Sequence, residues 1–507
     1  MNGRCGRRGF LKSLALATAG LAAPRWLAAA ATTPRLPNIV YIMADDMGYG
    51  DVGCYGAKKI RTPHVDQLAD EGIRFTDAHT PSAVCTPTRY GVLTGRYCWR
   101  SPLKEGVLWS GYEPLLIEPG RMTVASMLKA KGYATASVGK WHLGFGREKP
   151  DKQYSGLLEP GPLACGFDYS FQVPASHDMA PYCFVENGRV LGELTEEKAP
   201  RHFQQRAGLM TKGWDDSQIG PTLAAKAVAF IERHAKAGND RPFYLYFTPV
   251  APHRPNVVAD FMKGKSQAGE RGDHVQEFDW AVGEVVQALA RLGLADDTLV
   301  IVTSDNGARP VGRDGYEWVD GKMKGIKTLF DHKSCGDLRG YKAEIYDGGH
   351  RVPFVARWPG RIRPGTVSDE VICLTDHLAT CAAIAGAELP DGAAEDSFNV
   401  LPALLGEKRS KPIREATVHH DIQGRFSIRQ GPWKLVMPQS LWHRPEMKRA
   451  GAKSDRVYAP ELYNVVEDLG EKNDVADQHP DVVARLARLL EKYQTDGRSR
   501  PPRQRGA

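Results

Sequence analysis

Asp45-Asp46 and Asp305-Asn306 are two pairs of hard oxygen donors, each following an apolar run. Four such donors suit a Ca²⁺ or Mg²⁺ ion better than zinc. Cys85 opens a third group, Cys85-Thr86-Pro87-Thr88-Arg89, which the apolar Tyr90–Leu93 continues. Pro87 reads as a first-turn helix residue, where a missing N–H costs nothing. Cys85 then falls at or just before a helix N-terminus, where free N–H groups and the helix dipole favour negative charge. Arg89, about one turn later, can return towards it. A thiol so placed can be a nucleophile, a metal ligand or a buried small residue. Lys140 and His142 lie in a Gly-flanked loop, and His253 is bracketed by prolines that limit its mobility. Imidazoles and ammoniums in such places can move protons and neutralise an anion.

The elements that must position these groups alternate between strand and helix. Asn38–Met43 is a continuous apolar run, as expected for a strand buried on both faces. Helical spacing covers His64–Arg74, Thr123–Lys131 and His274–Leu292. Strands are expected at Tyr133–Val138, Pro242–Phe247, Thr298–Thr303 and Pro353–Trp358. The pattern predicts an α/β fold, a large, mostly parallel sheet covered by helices on both faces. In such sheets ligands bind beyond the carboxyl ends of the strands. Asp45-Asp46, Gly139-Lys140-Trp141-His142, Pro252-His253 and Asp305-Asn306-Gly307 all follow strands, so they emerge on one edge.

Gly386–Asp396 turns Gly/Ala/Pro/acid-rich and reads as a linker. Beyond it, Phe426–Arg429, Trp433–Met437 and a final amphipathic helix, Asp481–Tyr493, make a smaller C-terminal α+β subdomain over 389–496. The tail 497–507 is Arg/Pro/Gly-rich and is expected to be disordered. Residues 1–31 read as a targeting segment. Arg7-Arg8-Gly9-Phe10-Leu11-Lys12 resembles a twin-arginine export signal, with small residues for cleavage at 28–31. Export would deliver the protein to the periplasm or outside the cell.

The chain has 507 residues and a formal charge of +7. Residues 1–30 carry +5 and the tail +4, which leaves the body at −2. Net charge therefore gives no support for nucleic-acid binding. Nothing after the N-terminus approaches the roughly 18 apolar residues of a membrane span. Nine cysteines are too few for a disulfide scaffold. Cys165 and Cys183 are the pair whose spacing would permit a bridge in an exported protein.

Cys85-x-Pro87-x-Arg89 with its Leu93-Thr94-Gly95-Arg96 continuation resembles the signature of the formylglycine-dependent sulfatases, on the alkaline phosphatase-like fold. Thr298–Gly307, Gly139–Gly144, Ser176-His177-Asp178, Pro252-His253 and Leu338–Pro353 are similar to further segments of that family, and the catalytic domain so identified spans 36–388. The resemblance implies sulfate-monoester hydrolysis, on sulfated carbohydrates or aryl sulfates. It implies one Ca²⁺ held by Asp45, Asp46, Asp305, Asn306 and the modified Cys85. It implies that a formylglycine-generating enzyme converts Cys85 to the aldehyde, which works as its hydrate. Lys140, Lys342 and Ser176 would contact the sulfuryl group. His253 with Lys342 would protonate the leaving alcohol, His142 would take the proton from the second hydroxyl, and Arg89 would orient the hydrate and the metal ligands.

Tyr341 and Glu344 depart from the family's small residues. Ala308–Asp337, with Arg309, Arg313, Tyr316 and Trp318, is an insertion that could line the substrate pocket. A phosphodiesterase or phosphonate monoester hydrolase on the same fold is the rival reading. A non-catalytic binder of sulfated glycans is the other, should Cys85 stay a thiol.

Overall fold

Successive side chains of the strand Asn38–Ala44 enter two different cores. Ile39, Tyr41 and Met43 face one layer, and Val40, Ile42 and Ala44 the other, as the period of two in a strand requires. The first layer includes helices Cys85–Thr94, Val124–Ala130 and His377–Ile384. The second includes Pro63–Asp70, Ile219–Lys236 and Gly269–Arg291. The computed structural model describes residues 35–201, 205–238, 241–309, 331–438 and 459–502, and the backbone of 316–319 and 322–325. The targeting segment over 1–31, Arg313, the side chains of Tyr316 and Trp318, and residues 503–507 lie outside the described residues.

Five strands form the parallel heart of a ten-stranded sheet, in the order Thr298–Ser304, Asn38–Ala44, Phe243–Thr248, Ala134–Lys140, Tyr169–Val173. Phe354–Arg357 joins antiparallel beside Thr298–Ser304, and Ile73–Phe75 follows it antiparallel. The sheet is therefore mixed and mostly parallel, as expected. A separate four-stranded antiparallel sheet, Thr417–His420, Phe426–Gln430, Trp433–Val436 and Glu461–Asn464, carries the helix Pro480–Thr495.

Several boundaries differ from the sequence reading. The first helix stops at Asp70, and Ile73–Phe75 enters the sheet. A Cβ on Gly72 would sit 2.1 Å from the Ala356 carbonyl oxygen, so only glycine lets the chain cross there. The strand Ala134–Lys140 runs far enough to include Lys140, which fixes its backbone. Ile219–Lys236 and Tyr169–Val173 are elements that the sequence reading left unassigned.

The stretch read as a linker is packed. Asp396 is buried and accepts two bonds from Arg100, at 2.8 and 2.9 Å. The start of the tail is docked too: Ser499 N donates to Glu395 O at 3.1 Å and to Asp396 Oδ1 at 3.0 Å. Leu36–Ala507 is one compact unit. Cys165 and Cys183 are buried but not bonded to each other, and every cysteine among the described residues is free.

Charge ties the C-terminal sheet to the main one. Lys434, fully buried, donates to Asp347 at 2.7 Å and lies 2.8 Å from Glu471. Arg429 Nη2 reaches Asp77 at 2.6 Å. Between them, the rings of His350 and His419 stack at 3.9 Å, and His79 lies 3.0 Å from His350.

Candidate active site

The carboxyl ends of the parallel strands deliver the expected residues to one place. Asp45 and Asp46 follow Asn38–Ala44, and Asp305 and Asn306 follow Thr298–Ser304. Lys140 ends its strand, with His142 two residues on. Ser176 follows Tyr169–Val173, and His253 lies in the loop after Phe243–Thr248. Cys85 is the first residue of the buried helix Cys85–Thr94, which ends at Gly95 in the left-handed region, φ 64°. Lys342 comes from the loop after the insertion. Its N–H donates to Ala308 O at 2.7 Å, and that of Ala343 to Ala83 O at 2.8 Å, just ahead of Cys85.

The four hard donors form one dry cluster. Asp46 sits at φ 69°, a strained backbone for a residue with a side chain. Its Oδ1 accepts from Asn306 Nδ2 at 2.8 Å and from Lys342 Nζ, and its Oδ2 from Arg309 Nε at 3.3 Å. Asp45 Oδ2 accepts from Lys140 Nζ at 2.7 Å. Arg89 clasps Asp305 Oδ2 with Nε and Nη2 at 3.0 and 2.7 Å, and its Nη1 donates to Lys140 O at 3.0 Å. Arg89 thus orients a donor carboxylate and the Lys140 strand end rather than bonding to Cys85.

Burial opposes ionisation of these carboxylates. For Asp46 the neighbouring Lys342, Arg309 and Lys140 win, and hold it down at about 2. Asp45 is also lowered, by Lys140 and Arg89 against burial. At Asp305, burial and the adjacent Asp45 charge win over Arg89 and push the carboxyl up to about 8. Burial works against Lys140 as well, but Asp45 raises its proton affinity overall, so it stays an ammonium.

Two buried oxygens in this cluster, Asp45 Oδ1 and Asn306 Oδ1, have no hydrogen-bond partner. Leaving such an atom unsatisfied costs about 1–3 kcal/mol. Ligand atoms of Asp45, Asp46 and His253 lie within 4.8 Å of one another. Orphaned carboxylate and amide oxygens are what a hard divalent cation takes, so the residues fit a Ca²⁺ site.

Each of the two histidines spends its N–H on a backbone carbonyl and leaves the other ring nitrogen towards the cluster. His142 Nε2–H donates to Leu108 O at 2.7 Å, which leaves the Nδ1 lone pair facing Cys85 Sγ at 3.3 Å. Burial, and then Lys140, hold its pKa well below the ordinary imidazole value. It is a neutral base aimed at position 85. His253 Nδ1–H donates to Arg254 O at 2.6 Å, so Nε2 is the nitrogen left towards the cluster, 3.8 Å from Asp46 Oδ2. Burial and the cations Lys342, Lys140 and Arg309 keep it neutral here. Ser176 Oγ is 3.1 Å from His253 Nδ1.

A cavity of about 540 Å³ opens over Cys85, His253 and Lys342. Its wall also includes Arg309 from the insertion, and Trp109, Asp178 and Arg206, none of which sequence reasoning had placed in the site. Those three come from three separate loops without strand signals. Asp178 alone had a cue, its place two residues after Ser176.

Similarity to known proteins agrees with this geometry. The sulfatase family profile matches residues 37–387. The chain is 38% identical over 500 residues to an N-acetylgalactosamine-6-O-sulfatase from Bacteroides thetaiotaomicron, covering 90% of this chain and 93% of that one. It is 36% identical over 494 residues to arylsulfatase A from Homo sapiens, covering 93% and 90%. A solved structure from work on glycosaminoglycan metabolism by B. thetaiotaomicron superposes with a TM-score of 0.79 at 34% identity, covering 91% of this chain and all of that one. The chain belongs to the sulfatase family, sulfuric ester hydrolases built on the alkaline phosphatase-like fold.

Proposed function

We propose that this protein hydrolyses sulfate monoesters of carbohydrates at the Cys85 cluster, with Cys85 converted to formylglycine and one Ca²⁺ bound. The observation that carries the reading is the proton inventory at Cys85. A neutral His142 points its only lone pair at Sγ, beside two orphaned hard oxygens. The sugar substrate is supported by the relative named for N-acetylgalactosamine-6-O-sulfate.

Asp45, Asp46, Asp305 and Asn306 would hold the ion, with the converted Cys85 as a further ligand. The ion would supply Lewis-acid polarisation and neutralise negative charge. The hydrated aldehyde would supply the oxygen nucleophile, with a second hydroxyl whose loss of a proton releases sulfate.

The chain's own residues do the rest. Lys140, Lys342 and Ser176 bind the sulfuryl oxygens, and Lys342 and Arg309, which line the cavity, are cations that an entering anion meets. His142 Nδ1 takes a proton at position 85, and its Nε2–H bond to Leu108 O keeps the ring in that tautomer. His253 Nε2, with Lys342, holds the proton for the departing alcohol. The charge of the bound ester offsets the cations that keep His253 neutral here. Arg89 fixes Asp305 with two N–H groups on one carboxylate oxygen and holds the Lys140 strand end with a third, which a lysine could not do.

Cys85 is 3% exposed. A formylglycine-generating enzyme would therefore need to act before the chain folds. The Arg7-Arg8 leader supports later export through the twin-arginine machinery to the periplasm or beyond. No helix among the described residues is long and apolar enough to cross a membrane.

The deciding experiment compares 4-nitrophenyl sulfate with bis(4-nitrophenyl) phosphate as substrates of the calcium-loaded protein. The reading requires the sulfate to have the higher kcat/KM. Faster diester turnover would favour the phosphodiesterase reading instead.

A further inference from the structure

The cavity above Cys85 contains a carboxylate that sulfate chemistry does not use. Asp178 is 7% exposed, lines the cavity, and its Oδ1 has no hydrogen-bond partner. The nearest ring nitrogen, His253 Nδ1, is 3.9 Å away and already donates to Arg254 O. The backbone of Asp178 is pinned, because its carbonyl accepts from Tyr182 Oη and from Arg206 N, each at 3.0 Å. The residue is thus fixed through its backbone, and its Oδ1 is short of a donor.

An ionised carboxylate only accepts, and it repels the sulfuryl oxygens. Its missing partner must be an O–H or N–H on the rest of the substrate. A sugar sulfate carries free hydroxyls close to its ester, in a 6-sulfate the one on C4, whereas 4-nitrophenyl sulfate carries none. Trp109 supplies the second part of such a site. It lines the same cavity and is 54% exposed. Arg206 steadies it by donating to the Trp109 carbonyl, with the guanidinium 5.9 Å from the ring centroid. An indole face at a pocket mouth suits the C–H face of a pyranose.

We infer that Asp178 is the specificity-determining acceptor for a sugar hydroxyl neighbouring the sulfate ester, with Trp109 as the platform for the ring. The inference rests on the sulfatase reading above. It makes this enzyme select carbohydrate sulfates over sulfates whose alcohol carries no nearby donor.

The test measures kcat/KM of the full, calcium-loaded chain on N-acetylgalactosamine 6-sulfate and on 4-nitrophenyl sulfate. Wild type is compared with Asp178→Ala and with Asp178→Asn, which keeps the volume and removes the charge. Both variants should lower the sugar-to-aryl ratio, Asp178→Ala by at least about tenfold. Trp109→Ala should lower the ratio as well. For wild type, a sugar lacking the recognised hydroxyl should lose about the same factor, and Asp178→Ala should lose nothing more on it. A ratio unmoved by the Asp178 variants overturns this inference alone. So does an equal fall on both substrates, which would make Asp178 a positioning residue for His253. A wild type that cleaves neither ester overturns the sulfatase reading and this inference together.

Discussion

Lys434→Met tests whether the C-terminal sheet is held to the catalytic sheet by charge. The Lys434 ammonium is fully buried, 2.7 Å from Asp347, 2.8 Å from Glu471 and 3.0 Å from His350 Nε2. Burial opposes the Asp347 charge, but Lys434 and its neighbours hold that carboxyl well below its usual range. Burial and the Asp347 charge push Glu471 up to about 7. Methionine keeps most of the stem and removes the cation. Stranding one partner of a buried ion pair costs about 3–5 kcal/mol. Glu471 can answer with a proton, so the lower end of that range is expected near neutral pH. With an unfolding entropy of roughly 1 kcal/mol/K for a unit of this size, Tm should fall by about 3 °C near neutral pH.

The effect should reach the active site as well. Asp347 heads the short helix Asp347–His350, and Gly349 O accepts from Gly307 N at 2.9 Å, next to Asn306. A Cβ on Gly307 would lie 1.8 Å from Gly348 O, so this turn and the Asp305-Asn306 turn have no slack between them. Thermal and urea unfolding followed by circular dichroism, with kcat measured in parallel, are the assays. Adding Glu471→Gln to Lys434→Met should recover part of the loss. A cost below about 1 kcal/mol for Lys434→Met, or no recovery in the double variant, would refute the reasoning.

Other outcomes follow from the same structure. Asn306→Ala removes an orphaned oxygen and should weaken Ca²⁺ binding at least about tenfold in a calorimetric titration. His142→Ala removes the base facing position 85 and should lower kcat on an aryl sulfate by about 10²–10⁴. Asp51 is buried, yet Arg271 and His332 hold its pKa down at about 2 from 3.8. A depressed carboxyl contributes stability above its unfolded pKa and loses it as pH falls towards the folded value. This one is worth about 2 kcal/mol near neutrality. The urea midpoint of Asp51→Asn should therefore trail wild type most at pH 5–7, with the gap narrowing below pH 4.

The strand-end residues were legible because apolar runs followed by Asp-Asp, Lys-x-His and Asp-Asn announce parallel strands whose carboxyl ends share an edge. Lys342 was legible only through the family likeness, since it reaches the cluster from a loop beyond an insertion. Ile219–Lys236 escaped notice although Leu223, Ala227, Phe230 and Ile231 keep helical spacing, because alanines dilute the stripe. Tyr169–Val173 hid its period by burying Ser170 and Gln172 alongside Phe171 and Val173. The tail looked disordered by composition, yet the backbone and carboxylate of Glu395 and Asp396 give Ser499 its partners. Asp178 had a cue in its place two residues after Ser176, but neither type nor spacing assigned it a role. What marks it is an unpaired oxygen in a wall, which only the folded chain reveals.

If Cys85 is the precursor of the nucleophile, its conversion shows in the mass of its tryptic peptide, Phe75–Arg89. In protein that turns over sulfate esters, the account predicts a peptide about 18 Da lighter than the thiol form, the change from CH₂SH to CHO. An unmodified thiol in fully active protein would contradict it.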